Sequence, residues 1–136
     1  MPSCVLRVAG STVKVHRFLR ESSLEPCKVY QRGEPRFRLS VPAKLNEISG
    51  FNVSMSGSHG ESIRKMASEA LAFMRQHRED FVLLKAMRFR SATLDFGLYD
   101  LSSEDRPWPS YRLPAKLVEA AGEFGLGVVL SFYGPP

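Results

Sequence analysis

Most of the signatures that would name a chemistry are missing from this chain. No run of about 18 apolar residues occurs, so no transmembrane helix is expected. No charged, then apolar, then small-residue leader opens it, so no signal peptide is expected either. The two cysteines, Cys4 and Cys27, cannot build a disulfide framework and form no C-x-x-C pair. Reduced thiols in a cytoplasmic protein are the expectation. The three histidines, His16, His59 and His77, lie far apart and lack zinc-ligand spacing. There is no G-x-x-x-x-G-K-[ST] phosphate loop, no H-E-x-x-H and no G-x-S-x-G elbow. No internal repeat, low-complexity tract or long linker divides the chain. No catalytic residue, cofactor or metal is therefore expected.

What remains is an ordinary globular composition on a basic background. The 136 residues are 43% hydrophobic and 24% charged, which fits one domain over residues 1–136 with a sizeable core. Nineteen basic and fourteen acidic residues give a net charge of +5. The excess is confined to residues 1–44, where nine Lys/Arg face three acids; residues 45–136 hold ten against eleven. Arginine outnumbers lysine thirteen to six. Its planar fork suits carboxylate and phosphate partners, although a solubilising surface explains the same excess.

Residues 3–9 read as a strand. Ser11 or Thr12 then caps a short helix reaching Ser22, with Val15, Phe18 and Leu19 on one face. Pro26, Gly33, Pro35 and Pro42 punctuate the next segment. Short strands over Cys27–Gln31 and Arg36–Val41 fit there, joined by a turn at 32–35. Gly50–Ser56 alternates, with Phe51, Val53 and Met55 facing one way. Ser58 and Glu61 suit a capping box for a helix over 60–77. The apolar run Phe81–Met87 is either a last helical turn or the entry into a strand. Ala92–Tyr99 alternates again. A proline-containing loop, 100–112, leads to a helix over Leu113–Phe124, with Pro114 in its first turn. Gly125 closes that helix, and Leu126–Tyr133 is a final strand. The predicted fold is α+β: a mixed, largely antiparallel sheet of about five strands, with two main helices and one shorter helix mainly on one face.

Three stretches taken together resemble a known family. They are Leu24-Glu25-Pro26 running into Tyr30-Gln31-Arg32-Gly33-Glu34-Pro35, then Leu94-Asp95-Phe96-Gly97, then Leu113-Pro114-Ala115-Lys116-Leu117 leading through Gly125-Leu126-Gly127 to Leu130-Ser131-Phe132-Tyr133. In this order they resemble the bacterial domain of unknown function 4279. The closing helix, glycine and strand is also similar to several immunity-protein families of bacterial toxin systems. The resemblance implies no catalytic residue.

Candidate contacts follow from residue type. Trp108 and Tyr111 stand in a proline-stiffened loop, and such aromatics concentrate binding energy at protein interfaces. Arg32, Arg36 and Arg38 belong to a basic stretch, Lys28–Arg38, interleaved with Tyr30 and Phe37. That stretch suits a protein partner, or alternatively phosphates and stacked bases of a nucleic acid. Ser58 and His59, in a glycine-flanked turn over 57–61, are candidates for an anion, a small ligand or an enzyme site. Asp95 is expected to pair with an arginine such as Arg7. The leading expectation is a non-catalytic protein-interaction domain, immunity-like in role. Its +5 charge makes it a poor mimic of nucleic acid, so a basic nuclease is a poor target. Self-association through an exposed strand edge around residues 27–41 is a further reading; no membrane contact is expected.

Overall fold

The computed structural model describes residues 2–36, 44–58, 60, 62–100, 102–105, 107 and 109–134. Five strands and four helices follow in the order β1 (Cys4–Gly10), α1 (Thr12–Glu21), β2 (Lys28–Tyr30), β3 (Ser49–Ser54), α2 (Ile63–Gln76), α3 (Arg78–Met87), β4 (Ser91–Tyr99), α4 (Ala115–Glu123) and β5 (Gly127–Tyr133). The strands form one sheet in the order β2-β3-β1-β4-β5. All neighbours are antiparallel except β4 and β5, which run parallel. The expected mixed α+β sheet is therefore observed.

Period-two alternation decides which side of the sheet is buried. Cys4, Leu6 and Val8 of β1, Phe51 and Val53 of β3, and Leu94, Phe96 and Leu98 of β4 are buried against the helices. Register keeps these sets on one face, since Leu6 lies opposite both Val53 and Leu94. Val15 and Phe18 of α1 close one end of the core. Phe18 stacks on Phe51 at 5.3 Å, and Phe89 meets both rings edge-on. Met66, Ala67, Ala70 and Met74 form the buried stripe of α2, at the i, i+1, i+4, i+8 spacing of a helix face.

Local chemistry sets the helix ends. Ser11 caps α1, its hydroxyl accepting from the Lys14 amide at 3.2 Å. The cap of α2 is Ser62, which accepts from the Lys65 amide, and not Ser58. That corrects the expected capping box; Glu61, its other member, lies outside the described residues. The run around Phe81–Met87 is a separate helix, α3, begun after a break at His77. Asp80 stabilises its first turn, where a carboxylate suits the helix dipole, and accepts from the Ser23 amide and hydroxyl. Phe81, Leu84 and Met87 are buried, so the 3.6 period, not the strand period, fits the core here. Pro114 stands just before α4 rather than within it. The expected strand Arg36–Val41 lies outside the described residues beyond Arg36; Pro35 and Leu45 form an isolated bridge nearby.

Candidate functional site

The helix-free face carries a polar chain across four strands. Arg7 sits opposite Asn52 in the β1–β3 register. With the Asn52 amide oriented to satisfy both of its neighbours, Arg7 Nη1 donates to Asn52 Oδ1 at 3.0 Å and Asn52 Nδ2 donates to the Phe51 carbonyl. Arg7 Nε donates to Asp95 Oδ2 at 2.9 Å, the pairing expected from the sequence. Asp95 Oδ1 accepts in turn from the Ser131 hydroxyl at 2.6 Å. The carboxylate thus links β1, β4 and β5. A buried acid is tolerated there because both of its oxygens have donors.

Beyond Asn52 this face opens into a cavity of about 430 Å³ beside β2. Among the described residues, Arg7, Lys28 and Arg36 bring cations to its wall, with Tyr30, Asn46 and the acid Glu47. The phenol end of Tyr30 lies directly over Gly50, its register partner. A Cβ at Gly50 would strike the Tyr30 ring and come within 2.5 Å of the Val8 carbonyl. Gly50 is what lets the phenol end approach the strand this closely.

The opposite edge has a different character. Among the described residues β5 has a strand on one side only. Val128, Leu130 and Phe132 follow the core face in register with Leu94, Phe96 and Leu98. They are nevertheless 36%, 36% and 54% exposed, because α4 covers this strand only in part. Val129 and Tyr133 are exposed on the other face. The Tyr111 ring packs against Phe132 at 5.4 Å. Its hydroxyl is buried without a hydrogen-bond partner among the described residues.

The third candidate, the turn before α2, is tied to the helix. The Glu69 carboxylate accepts from the Gly57 amide at 2.7 Å, the Ser58 amide at 3.3 Å and the Ser58 hydroxyl. These bonds, led by the Ser58 hydroxyl, hold its carboxyl below the ordinary value. Ser58 therefore anchors the turn, and its hydroxyl is already engaged.

A family model described as Domain of unknown function (DUF4279) matches residues 2–135, nearly the whole chain. The chain belongs to this family. No curated protein and no solved structure matches it.

For this DUF4279 protein the sequence-expected residues separate in space. Tyr111 lies beside β5, while Arg32 and Arg36 are exposed next to β2, at the other end of the sheet. They do not share one surface. Trp108, Arg38 and His59 lie outside the described residues. Cys4 is fully buried and Cys27 exposed. Burial, with Asp95 nearby, pushes the Cys4 thiol up to about 12. Among the described residues no group of three His, Cys, Asp or Glu could hold a metal ion, and no helix is long and apolar enough to cross a membrane. Sequence reasoning missed the exposure of β5. An apolar run such as Val-Val-Leu-Ser-Phe-Tyr reads equally as a buried strand. The usable signal was position: a strand joined in parallel at the end of the chain can lie at an edge.

Proposed function

We propose that this DUF4279 protein is a non-catalytic protein-interaction domain that binds through β5 and the adjoining Tyr111 side. The observation that carries the reading is the exposed apolar edge strand. Proteins ordinarily blunt such edges with charge, proline or a bulge, and contiguous apolar surface marks contact sites. An immunity-like role is one form of this reading, supported only by the similar closing helix and strand. The test is affinity capture from a lysate of the native organism, repeated after nuclease treatment and with a Phe132→Lys bait. A protein retained by wild type after nuclease, and lost with the variant, supports the reading. Equal retention by both baits overturns it.

A second reading is anion binding in the cavity beside β2, favoured by the convergence of Arg7, Lys28 and Arg36 with Tyr30. Three phosphate contacts to a single strand predict a loss of roughly 20-fold in affinity between about 50 and 200 mM salt. Fluorescence anisotropy with a labelled single-stranded oligonucleotide measures it. Salt-independent binding, or none at low salt, dismisses this reading.

A further inference from the structure

The backbone of β5 fixes which of its groups are unsatisfied. The Tyr133 carbonyl accepts from the Asp100 amide at 2.8 Å, so Tyr133 points toward β4. Successive residues of a strand direct their N–H and C=O groups to alternate sides. Gly127, Val129, Ser131 and Tyr133 therefore serve the β4 ladder, while Val128, Leu130 and Phe132 direct theirs away from it. No strand lies there among the described residues. These are also the three residues whose side chains stand exposed on the helix side. The strand contains no charge and no proline, and its only glycine is at its start. The opposite edge differs: β2 is three residues long, begins with Lys28 and is flanked by Pro26 and Pro35.

We propose that β5 pairs antiparallel with β5 of a second copy of this chain, with the two-fold axis through Leu130. The proposal rests on reading β5 as the interaction surface, and it commits that surface to a self-partner. The strand is complementary to itself in this register. Leu130 meets Leu130 of the second copy, and Val128 meets Phe132 in both directions. All three outward-facing residues then exchange both backbone bonds with their partners. A slip of two residues in either direction leaves one of them unpaired on each copy. On the helix side every contact across the seam is apolar. On the other face Val129 meets Ser131 and Gly127 meets Tyr133. The helices of both copies fall on the same side, with α4, the helix that packs on β5, beside the seam. Two copies each bearing +5 repel weakly, but β5 itself places no charge at the contact. The side chains exposed on β5 offer on the order of 500 Å² per copy, below the usual ~800 Å², so the dimer is weak, with a dissociation constant of roughly micromolar order.

Sedimentation velocity of the full chain from about 1 to 200 µM tests this. The expected result is a monomer–dimer equilibrium that Leu130→Lys shifts to monomer with an unchanged circular dichroism spectrum. Register is read separately in a Cys27→Ser background. Leu130→Cys places two thiols across the axis, at the ~5.5 Å Cα separation of a hydrogen-bonded pair, and a disulfide-linked dimer forms under mild oxidation. Val128→Cys does not cross-link, because its copies lie about 14 Å apart along the seam. A monomer at every concentration overturns the self-pairing. So does a dimer indifferent to Leu130→Lys, or a cross-link at Val128 but not Leu130. If the chain stays monomeric while Phe132→Lys abolishes capture of another protein, only the self-partner fails. If capture is also indifferent, the interaction reading fails with it.

Discussion

Replacing Asp95 by alanine tests the claim that one carboxylate adds a side-chain link between β1, β4 and β5 on the helix-free face. The substitution removes two charge-assisted bonds, from Arg7 Nε and from the Ser131 hydroxyl. The two are not of equal worth. The Arg7 side chain is 43% exposed, against 12% for Asp95, so solvent screens that pair and leaves it about 0.5–1 kcal/mol. The Ser131 hydroxyl is a shorter, more sheltered donor to a charged acceptor, worth about 1.5–2 kcal/mol. Asp95→Ala should therefore cost about 2–3 kcal/mol, and Ser131→Ala about 1.5 kcal/mol. Arg7→Ala should cost about 1 kcal/mol, since its bond to Asn52 is also lost. Urea denaturation of the four variants, with Asp95→Ala/Ser131→Ala as the double, closes a thermodynamic cycle. The Asp95–Ser131 coupling should be at least about 1 kcal/mol. A coupling below about 0.3 kcal/mol, or an Asp95→Ala cost below about 0.5 kcal/mol, refutes the argument.

Phe51→Ala empties a site stacked on Phe18 and fully buried; it should cost about 3–5 kcal/mol in urea denaturation, and a cost below about 1.5 would place the core elsewhere. Gly50→Ala forces Tyr30 and the Val8 carbonyl apart; an expected loss of about 1–3 kcal/mol should be partly relieved in a Tyr30→Ala background, and absence of relief refutes the ring's position. Native protein should react with a thiol reagent once, at exposed Cys27, and twice when unfolded; rapid native labelling of Cys4 contradicts its burial and raised pKa. Because the Glu69 carboxyl is held below its ordinary value of 4.5, its hold on the Gly57 and Ser58 amides is complete above that value and lost as pH falls through the lowered one. Hydrogen exchange at those amides should therefore accelerate, relative to its intrinsic rate, on acidification in wild type but not in Glu69→Gln; identical profiles would refute it.

Where local physics was sufficient, the sequence was legible. Alternation placed β3 and β4 within a residue or two, the strand-like run at residues 3–9 placed β1 as closely, and the 3.6 period placed α1, α2 and α4. The resemblance carried by the Leu24–Pro35, Leu94–Gly97 and Leu113–Tyr133 stretches held as family membership. The Arg7–Asp95 pair was legible too, because each is a charge between apolar neighbours in a strand. The cap of α2 was not. Ser58 and Ser62 are both good caps, and only the long-range bond to Glu69 draws Ser58 away. The Phe81–Met87 run was ambiguous because seven residues cannot separate the two periods; the pocket offered by Phe73 and Phe124 decided it.

The sequence by itself determined the class of fold, the faces of β3 and β4 that would be buried, the basic first third and the missing catalytic motifs. These depend on side-chain type and spacing along a short stretch of chain. Only the tertiary structure decided which strands became edges, and hence that the apolar β5 is exposed while the short, charged β2 closes the other side. It also set Arg7, Lys28 and Arg36 around one cavity and moved Tyr111 away from the basic segment. Those outcomes depend on strand order, which is fixed by how all the helices and strands cover one another and by no local pattern.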